Sequence, residues 1–136
     1  MGGLTDTLFI SASGMKSQGA RMRVLAENVA NANSLAKTPE GEPYRRKIIT
    51  FENQMNEELG VHQVKVEDID RDQGDFPQKY RPDHPAANQE GYVKLPNVKP
   101  LVEMADMKEA QRSYEANLKV IEASRQMVRG TLGLLR

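Results

Sequence analysis

His84 directly follows Asp83 in the stretch YRPDHPAANQEGYVKLPNV, residues 80–98, and Tyr80 and Tyr92 stand on either side. An imidazole beside a carboxylate could take up and return a proton. A second candidate is DIDRDQGD, Asp68–Asp75, which has the alternating acids of a calcium loop. It fails on spacing, because glycine stands seventh instead of sixth and Lys79 occupies the twelfth place, where a bidentate glutamate is needed. It reads as a solvated acidic turn. SASGM, around Ser11 and Ser13, is not the Gly-x-Ser-x-Gly of a nucleophile elbow. His62 and His84 are the only histidines, and neither has a second ligand at helical spacing. Cysteine is absent, which removes thiol nucleophiles, thiolate metal sites and disulfides together. Glu27, Glu103, Asp106 and Glu109 have basic residues nearby and read as solvated helix faces. The expectation is a protein that is not an enzyme and has no cofactor and no metal, with His84 in a structural role.

Charge narrows the partners. Lysine plus arginine equals aspartate plus glutamate at 19 each, so no whole-molecule field draws the chain to nucleic acid or an anionic membrane. Arg45, Arg46 and Lys47 form too short a run, with too few aromatics, for a nucleic-acid platform. They are expected to meet an acidic surface on a neighbour. No apolar run is long enough to cross a bilayer, and MGGLTDTLFISASG lacks the basic and apolar regions of a cleaved signal peptide. Neither membrane insertion nor signal cleavage is expected. With 136 residues, no tryptophan and three phenylalanines, the chain suits a modest, mainly helical core.

The elements that carry these residues fall into three parts. Residues 1–33 form an N-terminal helical arm, with Leu8, Met15, Met22 and Val29 at strict sevens and Ser11, Gln18, Leu25 and Ala32 between them. That seam is small and weakly apolar, and Gly14 and Gly19 weaken it further unless another backbone must approach closely. Residues 100–136 form a C-terminal arm that starts at Pro100, with Met107, Tyr114, Ile121, Val128 and Leu135 at sevens. Ala110, Asn117, Ser124 and Thr131 take the intermediate places, Asn117 as a polar residue of the kind that fixes register or oligomer state at some cost in stability. A further row, Val120, Met127 and Leu134, lies one position before the ladder, and Leu118 and Leu132 lie four after ladder positions. This stripe is wider than one partner helix can cover. Residues 34–99 hold a small β-rich domain, with strands in YRRKIITF and GVHQVKVEDI and a polar loop, ENQMNEEL, between them. The fold class is α+β, mainly α, with the terminal helices in coiled-coil-like packing around the β-rich centre and an extended connector.

ENVANANSLAKTPEGEPYRRKIITF, YRPDHPAANQEGYVKLPNV and EMADMKEAQRSYEANLKVIEASRQM together resemble the flagellar axial (rod and hook) family, in its proximal rod branch. The resemblance spans essentially the whole chain and is poorest in the sheet region after Phe51. It implies a structural subunit of the proximal rod, assembling helically through its terminal helices to transmit motor torque to hook and filament. Leu8, Met15, Met22, Val29, Met107, Tyr114, Asn117, Ile121, Val128 and Leu135 would form the assembly interface. Pro82, Pro85, Gly91, Tyr92, Pro96 and Asn97 would form a stiff connector into the C-terminal helix. The implied partners are copies of the chain itself, other rod proteins, the rod-to-ring adaptor, the distal rod and the flagellar type III export machinery. The implied place is the periplasm-spanning rod of the basal body. The other reading open to two amphipathic arms around a small sheet is a cytoplasmic adaptor or chaperone binding a single partner.

Overall fold

The computed structural model of the chain describes residues 2–58 and 60–135. The fold is α+β and mainly α: helix α1, Gly2–Ala30, and helix α2, Pro100–Leu134, enclose in sequence four strands, β1 (Lys47–Asn56), β2 (Val61–Arg71), β3 (Gln78–Tyr80) and β4 (Tyr92–Lys94). No proline interrupts α1, and past its end the Asn31 side chain donates to the carbonyl of Glu27 at 2.9 Å, satisfying a group the helix leaves open. Helix α2 opens on Pro100, which has no N–H to lose at that position. Glu103 lies in its first turn, where a negative charge is favourable to the helix dipole.

The strands make two separate two-stranded sheets, β1 with β2 and β3 with β4. Glu57, Glu58 and Gly60 lie in the turn of the first pair, and Gly60 has a φ of 68°, a conformation glycine adopts without steric cost. The polar run ENQMNEEL is not all loop: its first five residues complete β1. Periodicity missed this because the pair is exposed on most positions of both faces, so the ladder of backbone bonds has no apolar face to announce it. In the second pair Gln78 faces Lys94, Lys79 faces Val93 and Tyr80 faces Tyr92, antiparallel.

The chain forms two compact units. The first takes in residues up to Met22, Thr50–Asp68 and Lys108 onward. Its buried positions are small: Ser11, Ser17, Ala110 and Ser124 are all less than a tenth exposed. Gly14 lies where a Cβ would come within 2.9 Å of Asn117 Nδ2, so the lack of a side chain lets the two helices approach closely here. Serines from α1 also reach β2. The Val64 N–H donates to Ser13 Oγ at 3.3 Å, and Ser17 Oγ donates to the Val64 carbonyl at 3.1 Å. The second unit takes in Arg23–Ile49 and Ile69–Met107, with a core of Val24, Leu25, Ala86, Val93 and Val98.

Candidate assembly surface

Several polar side chains of the second unit are drawn into one cluster. Glu103 is completely buried, its Oε1 bound to Arg46 Nε and its Oε2 accepting from Asn28 Nδ2 at 3.3 Å. Asn28 is also fully buried: its Oδ1 accepts from the Lys47 N–H at 2.9 Å and from the Tyr44 hydroxyl at 2.7 Å, while its Nδ2 donates to the Lys47 carbonyl at 2.9 Å. Asn97 Oδ1 accepts from the Arg46 N–H at 2.7 Å, and its Nδ2 donates to the Asp72 carbonyl at 3.0 Å. A buried carboxylate is tolerable when its charge and lone pairs are met, and here they are.

Two expectations are corrected by this cluster. Glu103 is not a solvated face; an acid at that position gave no periodic sign that the first turn of α2 is covered. Nor do Arg45, Arg46 and Lys47 wait for an acidic neighbour. Arg45 donates to the carbonyls of Asp72 at 2.8 Å and Gly74 at 3.0 Å, with its guanidinium 4.2 Å from the centre of the Phe76 ring. Arg46 pairs with Glu103, and Lys47 pairs with Glu27. Burial pulls the Arg46 pKa down, but the Glu103 bond and charge, followed by those of Asp72, outweigh it and leave the group raised. The bond from Lys47 and then its charge hold the Glu27 carboxyl below its ordinary value. Burial pushes the Tyr44 phenol up.

The stretch 80–98 returns on itself. Strands β3 and β4 close it as a hairpin instead of letting it run extended, and the Arg81 N–H donates to the Gly91 carbonyl at 2.9 Å. Gly91 has a φ of 89°, and a Cβ there would meet Tyr80 Cε2 at 2.7 Å, so both backbone and space require glycine. Tyr80 and Tyr92 meet edge to face with ring centres 5.4 Å apart. His84 Nδ1 accepts from the Ala86 N–H at 3.0 Å, a local turn bond. Pro96 is buried, whereas Pro82 and Pro85 are exposed. Beside the hairpin, a cleft lined by Ala36, Pro39, Gln78, Ala86 and Tyr92 has about 30 Å³ of room, on the scale of a single water.

In the first unit the heptad residues divide by face. Ala110 and Ser124 are buried, and Tyr114, Asn117, Ile121 and Val128 are half-buried, as are Leu8, Met15 and Met22 of α1. In the second unit Val29 and Met107 are half-buried too. The row one position before the α2 ladder stands open: Val120 is 40%, Met127 58% and Leu134 88% exposed, and Leu135 is 78% exposed. Leu118 and Leu132 add to it on the other side. Together these side chains make an exposed apolar stripe along several turns of α2, more than scattered surface apolarity. Sequence spacing had singled out both rows. It gave no sign of Asn28 or Ser17, nor that the acid met by Arg46 is Glu103 of the same chain, because these partners are far away in sequence.

Comparison with known proteins agrees in kind. The family described as "Flagellar basal body rod FlgEFG protein C-terminal" matches residues 89–134. The flagellar basal-body rod protein FlgC of Agrobacterium fabrum is 49% identical over 127 residues, which span 93% of this chain and 91% of that protein. That of Borreliella burgdorferi is 36% identical over 151 aligned residues, spanning 98% of this chain and 99% of its own length. That of Bacillus subtilis is 39% identical over 137 aligned residues, spanning 90% of this chain and 91% of its own length.

Proposed function

The chain belongs to the FlgC family of flagellar basal-body rod proteins and is a structural subunit of the basal-body rod, and we propose that the outer apolar row of α2 is the surface through which it assembles. In this reading it packs against copies of itself and neighbouring rod proteins, including the rod-to-ring adaptor and the distal rod, as part of a helical tube in the proximal rod that carries torque by packing alone. It performs no catalysis. Contacts of one patch with a different patch on the next subunit leave the assembly open, as a rod requires. Helix α1 supports the same reading, since a seam of serine, alanine and glycine orders fully only against neighbours. A chain of this kind can travel unfolded through the flagellar type III export machinery, without a cleaved signal peptide, and order at the growing tip.

One observation carries the proposal: Val120, Met127 and Leu134 are exposed in a row beside the ladder residues Tyr114, Ile121 and Val128, which are already half-buried. Met127→Asp should leave the free chain folded, because the side chain is already 58% exposed. In assembly the same change buries an unpaired charge at a cost of several kcal/mol. Expressed in cells lacking the native chain, the variant should be non-motile with rods that stop early, while Lys119→Asp swims. Motility with Met127→Asp at the wild-type level would remove α2 from the assembly surface.

A further inference from the structure

The part of the β1–β2 hairpin from Thr50 to Asp68 and the last turns of α2 both belong to the first unit, and they carry opposite charge. Between Thr50 and Glu67 the hairpin has Glu52, Glu57, Glu58 and Glu67, all exposed, against the single lysine Lys65. None of these four glutamates enters an ion pair among the described residues. After Glu122 the sequence of α2 contains no carboxylate, and Arg125 and Arg129 stand exposed without an ionic partner among the described residues. Each surface also has an apolar part. Met55 is 49% and Val64 37% exposed on the hairpin, and Met127 is 58% and Leu132 53% exposed on α2.

We propose that the acidic hairpin of one copy docks on the arginine-bearing end of α2 in a second copy. The proposal rests on the assembly reading above and names the occupant of that surface. Complementary sign is the argument for a second copy: a glutamate-lined patch repels its own kind and so does an arginine-lined one, so neither surface suits a symmetric pairing. Matching the two is heterologous. Formed head to tail, as an open rod requires, it leaves one hairpin and one helix end free on each added copy, so the contact propagates instead of closing. Exposed ion pairs add little affinity singly, so the apolar residues hold the contact while the charges select its orientation.

The chain has no cysteine, which makes a selective cross-link possible. Glu57→Cys and Arg129→Cys variants are co-expressed in cells lacking the native chain, and isolated basal bodies are treated with a short bismaleimide. A product of two chain masses is expected when both variants are present and not with either alone. As a second arm, Glu57→Lys with Glu58→Lys, and Arg125→Glu with Arg129→Glu, should each reduce motile cells by roughly tenfold or more, and all four changes together should restore them. The proposal is overturned if the mixed product is absent from the basal bodies of motile cells. It is also overturned if Arg129→Cys alone gives the same product, if Glu57→Cys links only to a chain of different mass, or if the fourfold exchange fails to restore motility. Should Met127→Asp block rods while these tests fail, the partner assignment falls and the assembly surface stands. Should Met127→Asp swim, the underlying reading falls first.

Discussion

Among the described residues Glu103 is the largest fully buried side chain. Its carboxylate is fully buried and meets both Arg46 and Asn28. Removing it leaves a guanidinium and an amide facing a void, and breaking a buried pair from one side costs about 3–5 kcal/mol. Glu103→Ala should therefore lower the urea midpoint sharply. Glu109→Ala is the control: its side chain is 69% exposed and 3.9 Å from Arg21, so the loss should stay under about 1 kcal/mol. Equal midpoints for the two variants would mean that the cluster is not a determinant of stability. Glu27 makes a prediction in pH. Its pKa lies below the ordinary 4.5 because of the bond and charge of Lys47, so the folded state binds its proton less readily than the unfolded chain. The stabilisation is thus fully present above 4.5 and is lost as pH falls through the depressed value. Glu27→Gln should be slightly less stable than the parent at neutral pH and indistinguishable from it in strong acid, as denaturant midpoints at the two conditions will show.

At the scale of elements, two glycines of α1 that look alike in sequence differ in the fold. Gly14 lies against Asn117, whereas nothing lies within 4 Å of the place a Cβ would take at Gly19. Gly19→Ala should gain the helix propensity difference, about 0.5–1 kcal/mol, in thermal or urea unfolding. Gly14→Ala should gain less or lose, because Asn117, which donates to the Ser113 carbonyl at 3.0 Å, must shift. The opposite order would mean that the close approach at Gly14 does not constrain the pair. Both helices were legible in the sequence because heptad spacing is a local signal that survives without partners. Pro100 also marked the start of α2 directly. The extent of β1 was not legible, since a strand exposed on both faces has no alternation to read. The hairpin within residues 78–94 was hidden for another reason. Its strands are three residues each, and its prolines suggest an extended run until Gly91 turns the backbone.

For the whole molecule, family membership and the exposed stripe lead to the same expectation for the free chain. The last turns of α2 carry Leu132 and Leu134, and Leu135 follows them, each more than half exposed, and nothing lies within 4 Å of a Cβ built at Gly130 or Gly133. Backbone amides there should exchange with deuterium rapidly in the free chain and slowly in isolated basal bodies, whereas amides around the Asn28 and Glu103 cluster should be slow in both. Protection of the last turns in the free chain would show that assembly is not what orders them. The polar cluster could not be foreseen from the sequence because Asn28, Arg46, Asn97 and Glu103 are scattered over it, and none breaks a pattern where it stands.

The two serines that hold Val64 bear on a hazard common to any sheet of two strands. A bare strand edge offers N–H and C=O groups to whatever extended chain passes, and this is how misfolded copies recruit one another into aggregates. Here Ser13 and Ser17 take both groups of one strand residue from the helix side. At that position a foreign strand finds the donor taken and the acceptor already engaged, which disfavours its own pairing there.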